Sequence, residues 1–293
     1  MTAGEVPALT VGVVVLTQGN RPIELDRALR SVLNQTGVEV DVVCVGNGWA
    51  PTGLPAGVAA VHLPENVGVS GRNAGVDHVR GDLLFFLDDD AWLPGPSALA
   101  EVAEVFRAHP DIGMVQTRIT DPDNPAAPRS WVPRLRKGDP GRPSTTMYVC
   151  EAAVMVRRAL FTEAGGWGTP YLYAHEGIEL AWRVWDAGAI VWYAGDLTTY
   201  HPVSPATRHS VFQRMNSRNR VLLARRNLPW VLVPAYLGVW GAVFGWRNRA
   251  DADSRAEWRR GWQEGWHVDP GERRPLSWRG ILEMARHGRP PIV

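Results

Sequence analysis

With 293 residues, 45% of them hydrophobic, and a formal net charge of +1, the chain can bury one large core or two modest ones, which excludes a disordered or fibrous protein. The near-neutral total hides an asymmetry: residues 1–207 carry 15 basic and 23 acidic side chains, and residues 208–293 carry 16 and 7. The two cysteines, Cys44 and Cys150, lie in apolar surroundings with no metal-ligand spacing, so a reducing, cytoplasmic setting is expected.

The first ten residues have neither a basic start nor an apolar stretch, so neither a leader nor an N-terminal anchor is expected. Residues 9–17, "LTVGVVVLT", form a β-branched run of the buried-strand kind. Residues 23–35 then place Ile23, Leu25, Ala28, Leu29, Val32 and Leu33 on one helical face. Residues 38–48 predict a second strand ending in a Gly-Asn-Gly turn, and residues 58–65 a third. A helix over residues 70–81, stopped by Gly81, leads into a fourth strand, "DLLFFLDDD". Strands alternating with helices predict an α/β fold, a mostly parallel sheet with helices on both faces, with ligands beyond the carboxyl ends of the strands.

Residues 120–146 are rich in proline and charge and show no period, so a long surface loop is expected. Its Trp131, Arg134, Arg136 and Lys137 either close over a diphosphate or belong to a plain surface loop. Residues 230–246 are uncharged, flanked by Arg225, Arg226, Arg247 and Arg249, and interrupted by Pro234 and glycines. That is short for a spanning helix and suits an interfacial segment, or packing against the catalytic domain or a twin subunit in a homo-oligomer. The basic region after residue 207 suits an anionic partner, or is a solvated face balancing an acidic domain. Peripheral contact with the inner face of a membrane is retained as an expectation, and nucleic acid is not.

Asp88, Asp89 and Asp90 follow five apolar residues at the mouth of the core, where a divalent cation would relieve their repulsion. In an extended strand end, Asp88 and Asp90 point to one side and Asp89 to the other. Arg72 is either a fixed cation near phosphates or a surface arginine. Trp167, Tyr171 and Tyr173 either stack on a sugar or pack in the core. "HEGIEL" has Glu179 where a zinc protease signature needs its second histidine.

The ordered blocks "VVLTQGNRPIELDRALRSVLNQ", "VVCVGNG", "ENVGVSGRNAGVDHVRGDLLFFLDDDA", "AGGWGTPYLYAHEGIELAWRVWDAGAIVWY" and "TTYHP" resemble family 2 glycosyltransferases of the GT-A (Rossmann-like) fold over about residues 10–202. The resemblance implies inverting transfer from a nucleotide diphosphate sugar to a hydroxyl acceptor (a glycan, lipid-linked glycan or small molecule), assisted by Mg²⁺ or Mn²⁺. It places the metal-binding aspartates at Asp88 and Asp90, nucleotide contacts at Thr17, Gln18, Asn20 and Arg21 with Asp89 beside them, and a metal or diphosphate histidine at His201. It also implies a catalytic domain over residues 1–207, with a nucleotide-sugar half to about 118 and an acceptor half from about 147. A mainly helical basic region fills residues 208–293.

Two departures stand out. Where the family usually reads the nucleobase with an acid, this chain has Gly46, Asn47 and Gly48. Asn47 can still pair with uridine or thymidine. Where the family commonly has Glu-Asp, this chain has Glu176-Gly177. Glu176, expected at a helix N-terminus whose dipole favours its ionised form, is the candidate base, with Glu179 as rival. Gly177 is expected to leave room for an acceptor or for Glu176 to swing in. A catalytically silent nucleotide-sugar-binding scaffold stays open on the strength of Gly46 and Gly177. So does a sugar-nucleotide pyrophosphorylase, whose glycine-rich, lysine-containing N-terminal loop is absent.

Overall fold

The computed structural model describes residues 10–124, 128–134, 138–203 and 212–291. The first nine residues, Arg136, Lys137 and the 207/208 boundary lie outside the described residues. In chain order the elements are β1 (Thr10–Thr17), α1 (Pro22–Leu33), β2 (Glu39–Asn47), β3 (Val58–Leu63), α2 (Arg72–Val76), β4 (Leu83–Asp88), α3 (Ala98–Ala108), β5 (Ile112–Thr120), β6 (Ser144–Thr145), β7 (Ala153–Arg157), α4 (Arg158–Ala164), α5 (Glu176–Asp186) and β8 (Ile190–Tyr200). Four helices follow: α6 (Phe212–Asn227), α7 (Val233–Arg247), α8 (Ala252–His267) and α9 (Trp278–Arg286).

The strands form one sheet in the order β3-β2-β1-β4-β7-β5-β8-β6. β1 runs parallel to β2 and β4, β2 to β3, and β5 to β8. β7 runs antiparallel to both of its neighbours, and β6 antiparallel to β8. The continuous apolar run of β4 follows from burial on both sides. Leu83, Phe85 and Leu87 share one core with α1 and α3. Leu84 and Phe86 share the other with α4, α5 and the C-terminal helices.

Two local expectations change. Ile23, expected on the buried face of α1, is exposed in its first turn, while Leu25, Ala28, Leu29 and Val32 are buried. The helix expected over 70–81 becomes a 3₁₀ turn (Gly68–Gly71) and the short α2. Asn73 ends its freedom by binding the backbone of Trp167 through both side-chain atoms.

The C-terminal helices are continuous with the core. Leu222 and Leu223 of α6, Tyr236 and Leu237 of α7 and Met284 of α9 lie in the same apolar cluster as Phe86 and Leu180. α7 buries only Val233, Tyr236 and Leu237; its Val239 and Trp246, and Trp230 and Val231 just before it, are exposed. Among the described residues no helix is long and apolar enough to cross a membrane.

Candidate functional site

β4 ends at Asp88, and the chain turns at once, with the Ala91 N–H donating to the Asp88 carbonyl at 3.1 Å. Strand alternation therefore does not govern the acidic triplet, yet the turn reaches the same pairing. Asp89 swings toward β1, accepting from the Thr17 hydroxyl at 2.6 Å and from Arg21 at 3.4 Å. Asp88 and Asp90 face His201 instead. β8 delivers that histidine: Tyr200 exchanges backbone hydrogen bonds with Trp92, two residues past Asp90, and the His201 N–H donates to the Thr120 carbonyl.

Each of the paired aspartates gives one oxygen to an arginine. Arg72 holds Asp88 Oδ1 and Arg21 holds Asp90 Oδ2. Their other oxygens lie 3.8 Å and 3.2 Å from His201 Nε2. Ligand atoms of Asp88, Asp90 and His201 all fall within 4.8 Å of one another, which fits one hard divalent cation. His201 Nδ1 sits 2.8 Å from the Pro202 carbonyl, an acceptor only, so Nδ1 carries hydrogen and Nε2 faces the carboxylates. Burial opposes the charge on His201, but Asp90 and Asp88 raise its pKa. Burial likewise pushes Asp90 up, and His201 and Arg21 bring it below the ordinary value. Asp89 is pushed up to about 6, chiefly by burial, with Thr17 opposing.

The other expected residues divide. Gln18 and Asn20 are exposed at the end of β1. Arg72 is buried, not a surface arginine: besides Asp88 it donates to the Glu151 carbonyl at 2.8 Å. Trp131 meets the His201 ring edge-on at 5.3 Å between centroids. Arg134 binds the carbonyls of Arg142 and Asp139 within its own loop. Trp167 and Tyr171 are core residues, and Tyr173 is exposed.

Asn47, expected to pair with a nucleobase, is buried with its side chain bonded inside the protein. Its amide donates to Asn66 Oδ1 at 2.9 Å and to the Gly68 carbonyl at 3.1 Å, and its Oδ1 accepts from the Val67 N–H at 2.9 Å. Both amide hydrogens and one acceptor site of the group that suggested pyrimidine recognition go into fixing the 66–68 turn. That turn in turn abuts Leu172: a Cβ on Gly68, where φ is +70°, would lie 2.3 Å from the Leu172 carbonyl oxygen.

Leu172, Ala174 and His175 all have positive φ, at 62°, 64° and 81°, a strained run for residues with side chains. It is held from α6, where Asn219 Nδ2 donates to the carbonyls of Tyr171, Tyr173 and Ala174. The run presents Glu176 at the start of α5, fully buried and with neither carboxylate oxygen partnered. Here the dipole expectation is overturned: burial first, then Glu151, push Glu176 up to about 8. Glu179 is also fully buried, but its Oε1 accepts from Arg183 at 2.9 Å, Arg226 at 2.8 Å and Asn227 at 2.7 Å. It fastens α5 to α6.

Glu151 is the residue the sequence reading missed. Its Oε1 accepts from the Gly177 N–H at 2.7 Å, and a Cβ on Gly177 would lie 2.7 Å from that oxygen and 2.2 Å from the Val149 carbonyl. The room expected beside Gly177 is therefore taken, and it is taken by a carboxylate. Glu151 is half-buried, its pKa raised by burial, with Arg72 opposing and Asp88 adding. The available signal was an acid directly before the apolar strand "AAVMV", which points into the crevice only because β7 runs antiparallel to β4.

Solved structures show the same architecture. The chain matches Staphylococcus aureus TarS 1-349 with a TM-score of 0.61 at 14% identity, covering 88% of this chain and 80% of that one. It matches the mannosyltransferase PcManGT of Pyrobaculum calidifontis, in complex with GDP-Man and Mn²⁺, at 0.58 and 15%, covering 98% and 78%. GalNAc-T7 with UDP, GalNAc and Mn²⁺ matches at 0.62 and 15%, covering 97% and 55%. No curated protein sequence matches the chain. The family model for glycosyl transferase family 2 matches residues 13–165, more than half of the sequence and the part that carries the acidic turn, and the chain belongs to that family.

Proposed function

We propose that the chain transfers a sugar from a nucleotide diphosphate donor to a hydroxyl acceptor with inversion at the anomeric carbon. The observation that carries this reading is the meeting of Asp88, Asp90 and His201 at the end of β4, linked through Arg72 and Glu151 to the desolvated Glu176. A Mg²⁺ or Mn²⁺ ion held by that triad supplies Lewis-acid stabilisation of the leaving diphosphate. Arg21 and Arg72 fix the two carboxylates so that one oxygen of each faces the ligand position. Thr17 and Asp89 position Arg21, while Gln18 and Asn20 contact the nucleotide. On the acceptor side, Glu176 and Glu151 form a coupled pair. Glu176 takes the hydroxyl proton, and Glu151 fills the place a side chain at position 177 would occupy. A carboxyl group with a pKa near 8 is a far stronger base than an exposed one, as proton abstraction near neutral pH requires. Direct attack by the deprotonated acceptor oxygen, with no covalent enzyme intermediate, inverts the anomeric centre.

The outer face of α7 lies, in this reading, against an anionic lipid surface. Its exposed end tryptophans each carry a stacked arginine, Arg273 4.1 Å from the Trp230 ring and Arg249 4.7 Å from the Trp246 ring. This pairing of apolar ring and cation suits a headgroup layer.

The uridine or thymidine preference rests on Asn47, whose side chain the 66–68 turn engages, so the test runs UDP-, dTDP- and GDP-linked sugars side by side with Mn²⁺ or chelator. Metal-dependent release of nucleoside diphosphate supports a transferase. Pyrophosphate release instead would indicate a pyrophosphorylase, and donor binding without turnover at any acceptor would indicate a silent binder.

A further inference from the structure

A cavity of about 310 Å³ is walled by Trp182 and Ile178 of α5, by Tyr236 and Trp240 of α7, and by Arg220 of α6. Two of its lining residues are near neighbours in sequence of the site described above. Ile178 follows Glu176 by two residues on α5, and the cavity-lining Ser130 precedes Trp131, which covers His201. Its walls are mainly apolar and aromatic, from Met147, Tyr148, Ile178, Trp182, Tyr236 and Trp240, and Arg220 is the buried cation among them. That side chain is only 7% exposed. Its Nη1 donates to the Tyr236 hydroxyl at 3.0 Å and its Nη2 reaches Asn216 Oδ1 at 3.4 Å. Its Nε is buried without a partner, as is the Trp240 indole N–H. The guanidinium lies 3.8 Å from the Trp240 ring. No carboxylate pairs with it among the described residues; the charged group acting on it is Arg289, another lining residue.

An unneutralised buried cation costs several kcal/mol, and the rings beside it return only part of that. A site that keeps such a charge inside aromatic walls is complementary to an anion carried on an apolar body.

We propose that this cavity binds an amphiphile with one anionic group, a phosphate or carboxylate on an alkyl or aryl body, and that this molecule is the acceptor. The word acceptor rests on the transferase reading; the binding does not. The anion sits on Arg220, the apolar body lies among Trp182, Tyr236 and Trp240, and the hydroxyl reaches toward Glu176.

Calorimetric titration of the full chain with octyl phosphate and with the neutral octyl glucoside tests the site. Octyl phosphate should bind at least tenfold more tightly. Arg220→Met should abolish that preference while the melting temperature holds or rises, since an unpaired charge is replaced by an apolar chain of similar length. Ile178→Trp, which fills the cavity and leaves Arg220 in place, should abolish binding of both and serves if the first variant does not fold. Equal affinity for the two probes, or a preference that survives Arg220→Met, overturns the proposal. Competition by phosphatidic acid vesicles would assign the natural ligand to a lipid, and its absence to a soluble molecule. With 8-hydroxyoctyl phosphate as the probe, binding that persists while Mn²⁺ and donor sugar yield no glycosylated product would overturn the acceptor assignment and leave the binding site standing.

Discussion

Glu176 and Glu179 stand three residues apart on α5, are equally buried, and should respond oppositely to loss of charge. Glu179→Gln removes the negative charge that Arg183 and Arg226 share at 2.9 Å and 2.8 Å, leaving two cations in the α5/α6 interface without a counter-charge. Breaking a buried pair of this kind costs about 3–5 kcal/mol. For a chain of this size that lowers Tm by roughly 6–15 °C. Glu176 has no partner to lose, so Glu176→Gln should leave Tm within a few degrees at pH 6 and cut transfer by roughly 100-fold or more. The pH dependence separates them further. The Glu176 pKa rises from an unfolded 4.5 to about 8, driven by burial and then Glu151, with Arg72 opposing. The native state therefore holds an extra proton between those values. The stability this confers is complete below about 4.5 and is lost as pH rises through about 8, so wild type should lose stability relative to Glu176→Gln across that window. Transfer by wild type should climb over the same approach to pH 8 and then level. Thermal melts and initial rates from pH 5 to about 9 read all of this. If Glu176→Gln turns over normally, or Glu179→Gln melts like wild type while losing activity, the assignment of base and fastener is refuted.

Asp90→Asn should weaken Mn²⁺ binding by at least about 100-fold, since loss of a mere supporting group near a metal costs 10–100-fold; calorimetry that finds unchanged affinity would remove Asp90 from the ligand set. Asn219→Ala frees the Tyr173 and Ala174 carbonyls of the strained run before Glu176 and should cost about 1–3 kcal/mol, with faster amide exchange confined to residues 172–176. Normal protection there would mean that the run is held by something else. Replacing both Trp230 and Trp246 by Ser should abolish sedimentation with vesicles rich in anionic lipid, and wild-type binding should fall as salt rises. Binding indifferent to salt and lipid charge would sink the α7 surface.

What could be read from the sequence was chemistry carried by neighbouring residues. The pairing of Asp88 with Asp90 followed from adjacent carboxylates at the end of an apolar strand, and the turn that forms there preserves it. His201 was visible only through the family resemblance, because its placement depends on β8 being stitched to Trp92 and Thr120. Asn47 shows the same dependence in reverse: its side chain has the right groups for a pyrimidine, and a turn about twenty residues away engages them. Arg72 could not be placed because α2 is too short for helical periodicity to tell its inner face from its outer one. Glu151 was hidden by strand direction, since alternation of strands and helices suggests parallel pairing and says nothing of a reversal at β7.

The error over Glu176 bears most on mechanism. A helix N-terminus favours a carboxylate by roughly 0.3–1 kcal/mol near the surface, so the local argument is sound as far as it goes. Burial is the larger effect, and α6 sets the backbone around it: its Asn219 grips carbonyls before Glu176 while its Arg226 and Asn227 hold Glu179 one turn later. The basic region that charge counting set apart as a tail thus holds the 172–175 run through Asn219, anchors Glu179 and walls the cavity at Arg220. In this reading the C-terminal helices act on the acceptor proton as directly as β4 acts on the donor diphosphate. The arginines of this region are not interchangeable surface charge: Arg226 neutralises Glu179, Arg220 has no carboxylate partner among the described residues, and Arg249 and Arg273 lie over Trp246 and Trp230, with Arg273 also donating to the Arg225 and Leu228 carbonyls. A net charge summed over the segment cannot distinguish these roles, because each is fixed by what the residue packs against in the fold.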